Sequence, residues 1–254
     1  MDLASGGHLS HGSPPNISGK VYSACSYKVK ADGYLDYDEI EQMTKEYRPK
    51  MIVAGASAYP RQINWEVFRK IADKYGALQS PLAYADVVTS TTHKTLRGPR
   101  GGIILWNNPE YTRRINSAIF PGTQGGPLMH IIAAKAQCFI EANTQEFKDY
   151  SQAVVQNAKA MCRVLLEHGM EVQTNGTDSH IILMDLSTSK HSGRQAADLL
   201  EANGITVNKN GVPNDPRSFI ETSGIRIGTA AETTRGHDEE WFKELALKIV
   251  NILK

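Results

Sequence analysis

The residues best suited to chemistry lie between positions 89 and 102, which read TSTTHKTLRGPRGG. A run of hydroxyl side chains leads to His93 and Lys94, and a loop of glycine, proline and arginine follows. A lysine held on a rigid loop beside hydroxyls and an imidazole can lose its proton near neutral pH. Its amine then acts as a nucleophile or forms a Schiff base. A solvated lysine in a polar surface turn is the alternative.

Two apolar segments flank this loop, residues 84–89 before it and residues 103–106 after it. The pattern of each segment predicts a strand, and these two strands must position the loop. Upstream, the sequence predicts a helix, a short buried strand and a second helix at residues 36–47, 50–55 and 63–75. The strand at 50–55, the helix at 63–75 and the strand at 84–89 follow one another in the order that suggests a crossover unit of an α/β sheet. The link ALQSPLA, between Gly76 and Tyr84, is short for a helix that returns to a new core strand.

The second half of the chain has a different pattern. A glycine-rich turn at residues 120–127 precedes an apolar helix predicted at residues 128–142. Beyond it we predict helices and strands that alternate as helix 146–169, strand 180–186, helix 193–203, strand 224–229 and helix 239–253. We therefore predict two domains, residues 1–145 and residues 146–254, the second of α+β type.

Composition excludes several classes of function. The chain has 254 residues and a formal net charge of +1, with its basic residues scattered, so we expect neither a nucleic-acid partner nor an anionic membrane partner. Its three cysteines are far apart and lack metal-ligand spacing, which argues for a reducing compartment and against a metal site. No segment has the pattern of a membrane span or a signal peptide, so we expect a cytoplasmic protein.

Several motifs together carry a family resemblance. They are the lysine loop and the segments GGHLSHGSPPNISGK (6–20), GASAY (55–59), FPGTQGGPLMH (120–130), NGITVNKN (203–210) and TSGIRIGT (222–229). In this order they resemble serine hydroxymethyltransferase over nearly the whole chain. The resemblance implies a fold-type-I α/β transferase that depends on pyridoxal 5'-phosphate, with a large domain of the aspartate-aminotransferase type and a small C-terminal α+β domain. It also implies interconversion of serine and glycine, with transfer of a hydroxymethyl unit to tetrahydrofolate.

The resemblance assigns catalytic and cofactor-binding roles to four residues. Lys94 matches the lysine that holds the cofactor, and His93 matches a histidine near the cofactor phosphate. His8 matches an imidazole stacked on the pyridine ring, and Ser57 matches a serine bonded to the ring's phenolic oxygen. The alternatives are a histidine that caps its own turn, a histidine in a mobile leader and an ordinary turn serine. His11 belongs to the loop of His8 and matches no clear role.

Arg226 lies between Ile225 and Ile227 in GIRIG, so strand alternation places its side chain on the face opposite the isoleucines. By resemblance it matches the arginine that binds the substrate carboxylate through a bidentate pair, and a solvated strand arginine is the alternative. The remaining matches have ordinary turn or core roles as alternatives. They are the cofactor contacts Arg100, Gly125 and Gly126, of which the two glycines reach the neighbouring subunit in the family dimer, and the folate contacts Leu3, Gly7, Leu9 and Asn210.

Two departures from the family pattern lead us to expect a truncated and internally deleted form. The chain begins inside the family's large domain, so the segment with a phosphate-binding turn and with a tyrosine and a glutamate of the site is absent. The short link after Gly76 replaces a strand whose aspartate pairs with the pyridine nitrogen. Asp86 is an acid nearby, but it matches another position. We therefore expect weaker electron withdrawal by the cofactor and exposed apolar helix faces.

Three functional hypotheses remain open at this point. The chain is an active pyridoxal-phosphate enzyme, a catalytically inactive fragment that associates with full-length subunits, or the product of an incomplete gene. A related fold-type-I aldolase is a further alternative, but it leaves Leu3, Leu9 and Asn210 unexplained. The family also implies a homodimer or higher oligomer.

Overall fold

The computed structural model describes residues 1–75 and 83–254. The α-helices in those residues are α1 (Ile17–Val21), α2 (Tyr37–Tyr47), α3 (Trp65–Tyr75), α4 (Thr112–Ser117), α5 (Met129–Ala142), α6 (Gln145–Glu167), α7 (Gly193–Ala202), α8 (Ala230–Thr234) and α9 (Glu239–Leu253). The strands are β1 (Val87–Thr91), β2 (Gly102–Trp106), β3 (Glu171–Val172), β4 (Ile181–Asp185), β5 (Asn208–Asn210) and β6 (Gly224–Gly228). Within these two ranges, no helix combines the length and the apolar character needed to cross a membrane.

The described residues form two compact units. The first unit contains Met1–Ile40, Gly55–Ile63 and Gln152–Lys254. The second unit contains Glu41–Ala54 and the described part of Asn64–Ser151. The first unit thus joins segments from both predicted domains, and the domain division at residues 145 and 146 stays a prediction.

The first unit is built on an antiparallel sheet with the strand order β3-β4-β6-β5. Leu183 of β4 pairs with Arg226 of β6, and the isoleucines on either side of Arg226 are buried. Helices α6, α7 and α9 cover the apolar face and supply much of one continuous core. Helix α7 begins with a capping box between Ser192 and Gln195, and Asp238 caps α9, so both helices start where their polar signals predict.

The second unit has a smaller interior. Its strands β1 and β2 form an antiparallel pair in which Thr89 faces Ile104. Helix α3 buries Phe68, Ile71 and Ala72, whereas Cys138 is the buried residue of α5. The expected exposure of apolar helix surface is found on and next to α5, at Leu128, Met129, Ile132, Phe139 and Ile140.

Most helices follow the sequence prediction, whereas one predicted strand is found with other bounds and another is not found. The strand predicted at residues 84–89 begins only at Val87, because pairing with β2 starts at that residue. In the described structure, residues 50–55 are not assigned to a strand, and Met51 alone is a bridge position. Most of the short link after Gly76 falls in residues 76–82, which lie outside the described ranges.

The core of the first unit gives a direct stability prediction. Leu165 of α6 is fully buried in that core, so Leu165→Ala should lower the free energy of unfolding by about 3 kcal/mol. Leu247 of α9 is 40% exposed, and Leu247→Ala should change the same quantity by about 0.5 kcal/mol or less. Urea unfolding of both variants measures the difference. Equal losses would contradict the assigned core.

Candidate active site

The loop that carries Lys94 is closed at its base by Thr92, whose side chain is fully buried. The Thr92 backbone N–H donates to the Gly101 carbonyl at 3.1 Å, and its hydroxyl donates to the Pro99 carbonyl at 2.6 Å. The Gly98 N–H donates to the Thr92 carbonyl at 2.8 Å. Because buried polar groups are stable only when bonded, these contacts hold both ends of the loop in one arrangement.

Helix α5 packs closely against one side of this loop. A Cβ atom added to Gly98 would lie 2.5 Å from Cys138 Sγ, so that position has no room for a side chain. The Cys138 thiol donates to the Leu96 carbonyl at 3.3 Å, and Lys135 Nζ donates to the Gly102 carbonyl at 2.9 Å. Two side chains of one helix therefore hold the loop at its middle and at its C-terminal end.

Lys94 lies exposed at the tip of this loop. Its carbonyl accepts the Arg97 N–H at 2.9 Å, and Arg97 has a left-handed backbone with φ +59°. The Arg97 guanidinium carbon lies 4.0 Å from the centre of the Tyr150 ring, a cation–π contact that holds the turn. The Lys94 amine donates to no described residue, so it is available to an incoming carbonyl group. Activation of Lys94 by its surroundings stays a prediction.

The histidine next to Lys94 accepts a hydrogen bond from the backbone of the same loop. His93 is half-buried, and its Nδ1 accepts the Gly101 N–H at 3.2 Å. An Nδ1 that accepts a hydrogen bond leaves the ring proton on Nε2 in the neutral imidazole. This contact is the capping role that the sequence left open as an alternative, and a role at the cofactor phosphate stays a prediction.

Other predicted cofactor contacts of the second unit are exposed. Arg100 lies at the surface of the lysine loop. Gly125 and Gly126 are exposed, and a Cβ atom added to either one would meet nothing within 4 Å. Their backbone N–H groups donate to none of the residues that the structure describes. Free backbone N–H groups are good anion ligands, which fits the predicted phosphate contact.

Asp86 is already engaged by a cation. Its carboxylate forms an ion pair with Arg69 Nη1 at 3.2 Å, and Arg69 also pairs with Asp73. Arg69 further donates to the Tyr84 carbonyl, which holds this guanidinium beside the start of β1. A carboxylate neutralised in this way does not fit the role of a partner for a protonated pyridine nitrogen.

In the first unit, the N-terminal loop lies directly on the turn of Ser57. The Gly6 carbonyl accepts the N–H groups of Ser57 and Ala58 at 2.8 and 3.1 Å. Gly6 has φ +96°, and an added Cβ atom would lie 2.8 Å from the Ala58 carbonyl, so only glycine allows this approach. The contact attaches the loop of His8 to the half-buried turn of Ser57.

Arg226 reaches the same turn from the sheet. Its Nη1 donates to the Ser57 carbonyl at 2.9 Å, and its Nη2 donates to Asn208 Oδ1 at 3.2 Å. The side chain is half-buried and lies on the face predicted from strand alternation. Each terminal nitrogen carries a second N–H, so the oriented guanidinium still has donors for a carboxylate.

The two histidines of the N-terminal loop have different surroundings. His8 is exposed, and its Nδ1 contacts Ser10 Oγ at 2.8 Å. The His8 backbone N–H donates to His11 Nδ1 at 3.3 Å. Burial lowers the pKa of His11 to about 4, and the positive charges of the N-terminal amino group and His8 add to the effect. His11 is therefore a neutral acceptor that helps to shape the loop.

The predicted folate contacts all belong to the first unit. Leu3 and Asn210 are half-buried, Gly7 is buried and Leu9 is 45% exposed. Asn210 Nδ2 donates to the Gly211 carbonyl at 2.6 Å. Their role in folate binding stays a prediction.

The predicted site residues are thus divided between the units. His8, Ser57, Arg226 and the folate positions lie in the first unit, whereas the second unit holds Lys94, His93, Arg100, Gly125 and Gly126. Sequence reasoning missed Thr92 and Asn208 as supporting residues. Thr92 belongs to a run of hydroxyl residues, and the pattern does not show which of them is buried.

The described part of the chain is thus a mixed α/β protein, with an exposed lysine on a braced loop of the second unit and an oriented arginine on the sheet of the first unit. Comparison with known proteins makes this specific. The family model of serine hydroxymethyltransferase matches residues 1–249, and the chain therefore belongs to the serine hydroxymethyltransferase family. That family has the fold-type-I architecture, so the predicted fold class is confirmed.

Three curated relatives carry the name serine hydroxymethyltransferase. Those from Wolbachia sp. subsp. Drosophila simulans (strain wRi), Rhodospirillum centenum and Rickettsia canadensis are 51%, 51% and 52% identical over 272, 271 and 271 residues. The match covers 100% of this chain and 64%, 63% and 64% of the relatives. The chain thus spans slightly less than two thirds of their length.

The alignment also bears on the predicted internal deletion. It covers 272 positions for the Wolbachia relative, and the chain has 254 residues, so at least 18 aligned positions have no residue here. This difference agrees with a deletion inside the matched region. Its placement after Gly76 stays a prediction.

The packing of the lysine loop on α5 can be tested with two neighbouring glycines. Gly98→Ala should lower the free energy of unfolding by about 1–3 kcal/mol, because the added methyl group overlaps Cys138 Sγ. Gly102→Ala is the control, since its Cβ atom would meet only the Ser90 carbonyl, at 3.9 Å. Chemical denaturation compares the two variants, and equal stability would contradict the close contact.

His11 predicts a dependence of stability on pH. Its pKa is lowered from 6.5 to about 4, so the unfolded chain binds the proton more readily than the folded chain does. The contribution of His11 to stability should be complete above about pH 6.5 and decrease as the pH falls towards 4. Thermal unfolding at several pH values should show this slope, and His11→Gln should reduce it. His168→Gln, at an exposed histidine, should leave the slope unchanged.

Proposed function

We propose that the chain binds pyridoxal 5'-phosphate through Lys94 and interconverts serine and glycine, with transfer of the hydroxymethyl unit to tetrahydrofolate. Family membership and the names of the relatives support this proposal. The observation that carries it is the free amine of Lys94 on a loop that Thr92 and α5 brace. A surface lysine in a polar turn would not require such support.

The residues of the second unit fit a phosphorylated aldehyde. Lys94 provides a primary amine, and Gly125 and Gly126 provide backbone N–H groups without a described acceptor. When bound, the cofactor supplies an aldehyde that condenses with amines and a ring that withdraws electrons from bonds at the α-carbon of an amino acid. Arg100 is exposed on the same loop as Lys94 and adds a positive charge for the phosphate.

In the first unit, Arg226 has the chemistry needed for an amino-acid substrate. Its guanidinium is oriented by Ser57 and Asn208 and can donate two parallel hydrogen bonds to a carboxylate. Such a pair fixes the direction of the substrate as well as its affinity. We assign to Arg226 the binding of the serine or glycine carboxylate.

One part of the expected chemistry lacks a matching residue. Asp86 pairs with Arg69, and it does not fit as the acid that keeps a pyridine nitrogen protonated. Without that acid, electron withdrawal by the cofactor ring weakens. We therefore expect cofactor binding to be retained and turnover to be slow.

A second candidate is a catalytically inactive chain that associates with full-length subunits. It is favoured by the apolar residues exposed on and beside α5, such as Met129, Ile132 and Ile140, because large exposed apolar patches mark interaction surfaces. Co-purification with a full-length relative, without added turnover, would support this candidate. For the first candidate we propose a cytoplasmic homodimer or higher oligomer, as the resemblance implies.

Covalent trapping tests the role of Lys94. The purified chain is mixed with pyridoxal 5'-phosphate and reduced with borohydride, and modified peptides are identified by mass spectrometry. We expect one labelled site at Lys94 and loss of that label in Lys94→Ala. Lys148→Ala, at an exposed lysine of α6 in the same unit, should keep the full label. Labelling spread over many surface lysines would instead show that Lys94 is an ordinary solvated lysine.

A further inference from the structure

Arg61, four residues after Ser57, makes three hydrogen bonds to one turn of the first unit. Its Nε donates to Thr174 Oγ1 at 2.9 Å, and its Nη2 donates to the Thr174 carbonyl at 2.6 Å. Its Nη1 pairs with Asp178 Oδ1 at 3.0 Å, and its side chain is only 17% exposed. Hydrogen bonds from a charged donor are stronger than neutral ones, so this guanidinium is firmly held.

The turn that accepts the hydrogen bonds of Arg61 has a backbone conformation that leaves room for the guanidinium. Thr174 and Asn175 have left-handed backbones with φ +60° and +51°. A Cβ atom added to Gly176 would lie 2.6 Å from Arg61 Nη2, so the guanidinium occupies the space that a side chain would need. Such backbone conformations persist only where the surrounding contacts require them.

The backbone on both sides of Arg61 is bonded to the same turn. The Asp178 N–H donates to the Pro60 carbonyl at 2.9 Å, and the Gln62 N–H donates to Asp178 Oδ2 at 3.3 Å. The Thr177 hydroxyl oxygen lies 3.3 Å from the Pro60 carbonyl and donates to the Ile181 carbonyl at 2.6 Å. The end of the Ser57 turn near Arg61 therefore has little freedom to move.

The segment 57–61 is thus held at both ends. Gly6 and Arg226 hold it at Ser57, and the contacts of Arg61 hold it at the other end. The residues between them, Ala58, Tyr59 and Pro60, are buried, and a close-packed interior transmits displacement, so a shift at Arg61 changes the position of the Ser57 carbonyl. That carbonyl is one of the two acceptors that orient Arg226.

We propose that Arg61 is a positioning residue for carboxylate binding. It keeps the Ser57 carbonyl in place and thereby keeps the guanidinium plane of Arg226 in the orientation that an amino-acid carboxylate requires. This inference rests on the proposed function of Arg226. Lysine cannot replace Arg61, because a single ammonium group cannot supply the planar fork that bonds Thr174 and Asp178 together.

The test combines a binding measurement with a local structural readout. Calorimetry with glycine on the chain loaded with pyridoxal 5'-phosphate should show affinity reduced about tenfold in Arg61→Lys, the equivalent of about 1.4 kcal/mol. Hydrogen exchange should be faster at the Ser57 and Ala58 amides and unchanged in β4 and β6. Arg194→Lys is the matched control, because Arg194 is an exposed arginine of the same unit with ion-pair contacts to Asp198 and Glu221. It should match the wild type in both measurements.

The outcomes separate this inference from the proposed function. A folded Arg61→Lys protein with wild-type glycine affinity and wild-type exchange at Ser57 and Ala58 would overturn the positioning role. Where Arg61→Lys does not fold, Asp178→Asn keeps the shape of the acceptor and removes its charge, and the same two readouts apply to it. Wild-type glycine affinity in Arg226→Lys would instead overturn the role proposed for Arg226. Faster exchange at Ser57 in Arg61→Lys would still support the link from Arg61 to Ser57.

Discussion

Hydrogen bonds from buried side chains to backbone carbonyls hold both candidate sites in place. A loop lacks the regular ladder of a helix or sheet, so its carbonyl groups need other donors. Thr92 supplies a donor to Pro99, and Arg226 supplies one to Ser57. Because these donors are themselves buried or half-buried, water competes little for the same carbonyl groups, and the loops are held in place.

The two units differ in how well they support such loops. The first unit has a continuous apolar core between its sheet and helices α6, α7 and α9, and this core holds the strand of Arg226. The second unit exposes Met129, Ile132 and Ile140 of α5, the helix that braces the lysine loop. Segments with few buried apolar contacts open more readily than core segments. The anchor of the proposed cofactor therefore rests on the less protected of the two units.

The chemistry also separates into parts with different structural requirements. Under the proposed function, anchoring a cofactor at Lys94 needs a braced turn and an available amine, and the lysine loop with helix α5 supplies both. Keeping a ring nitrogen protonated needs a carboxylate brought from another strand. The nearby carboxylate, Asp86, is neutralised by Arg69. Under the proposed function, this chain would therefore keep the anchor of the cofactor and lack the carboxylate that supports electron withdrawal by its ring.

Local sequence patterns were sufficient to predict much of the secondary structure of this protein. The terminal helix was predicted at its observed bounds, Glu239–Leu253, and Arg226 lies on its predicted face, because helical period and strand alternation depend on near neighbours. Family motifs assign the cofactor lysine to Lys94, and this assignment stays a prediction. Only the tertiary structure shows the limits of the strands, the burial of Thr92 and the partners of Arg61. Arg61 bonds Thr174, a residue 113 positions away, and no local pattern encodes a contact between residues so far apart in sequence.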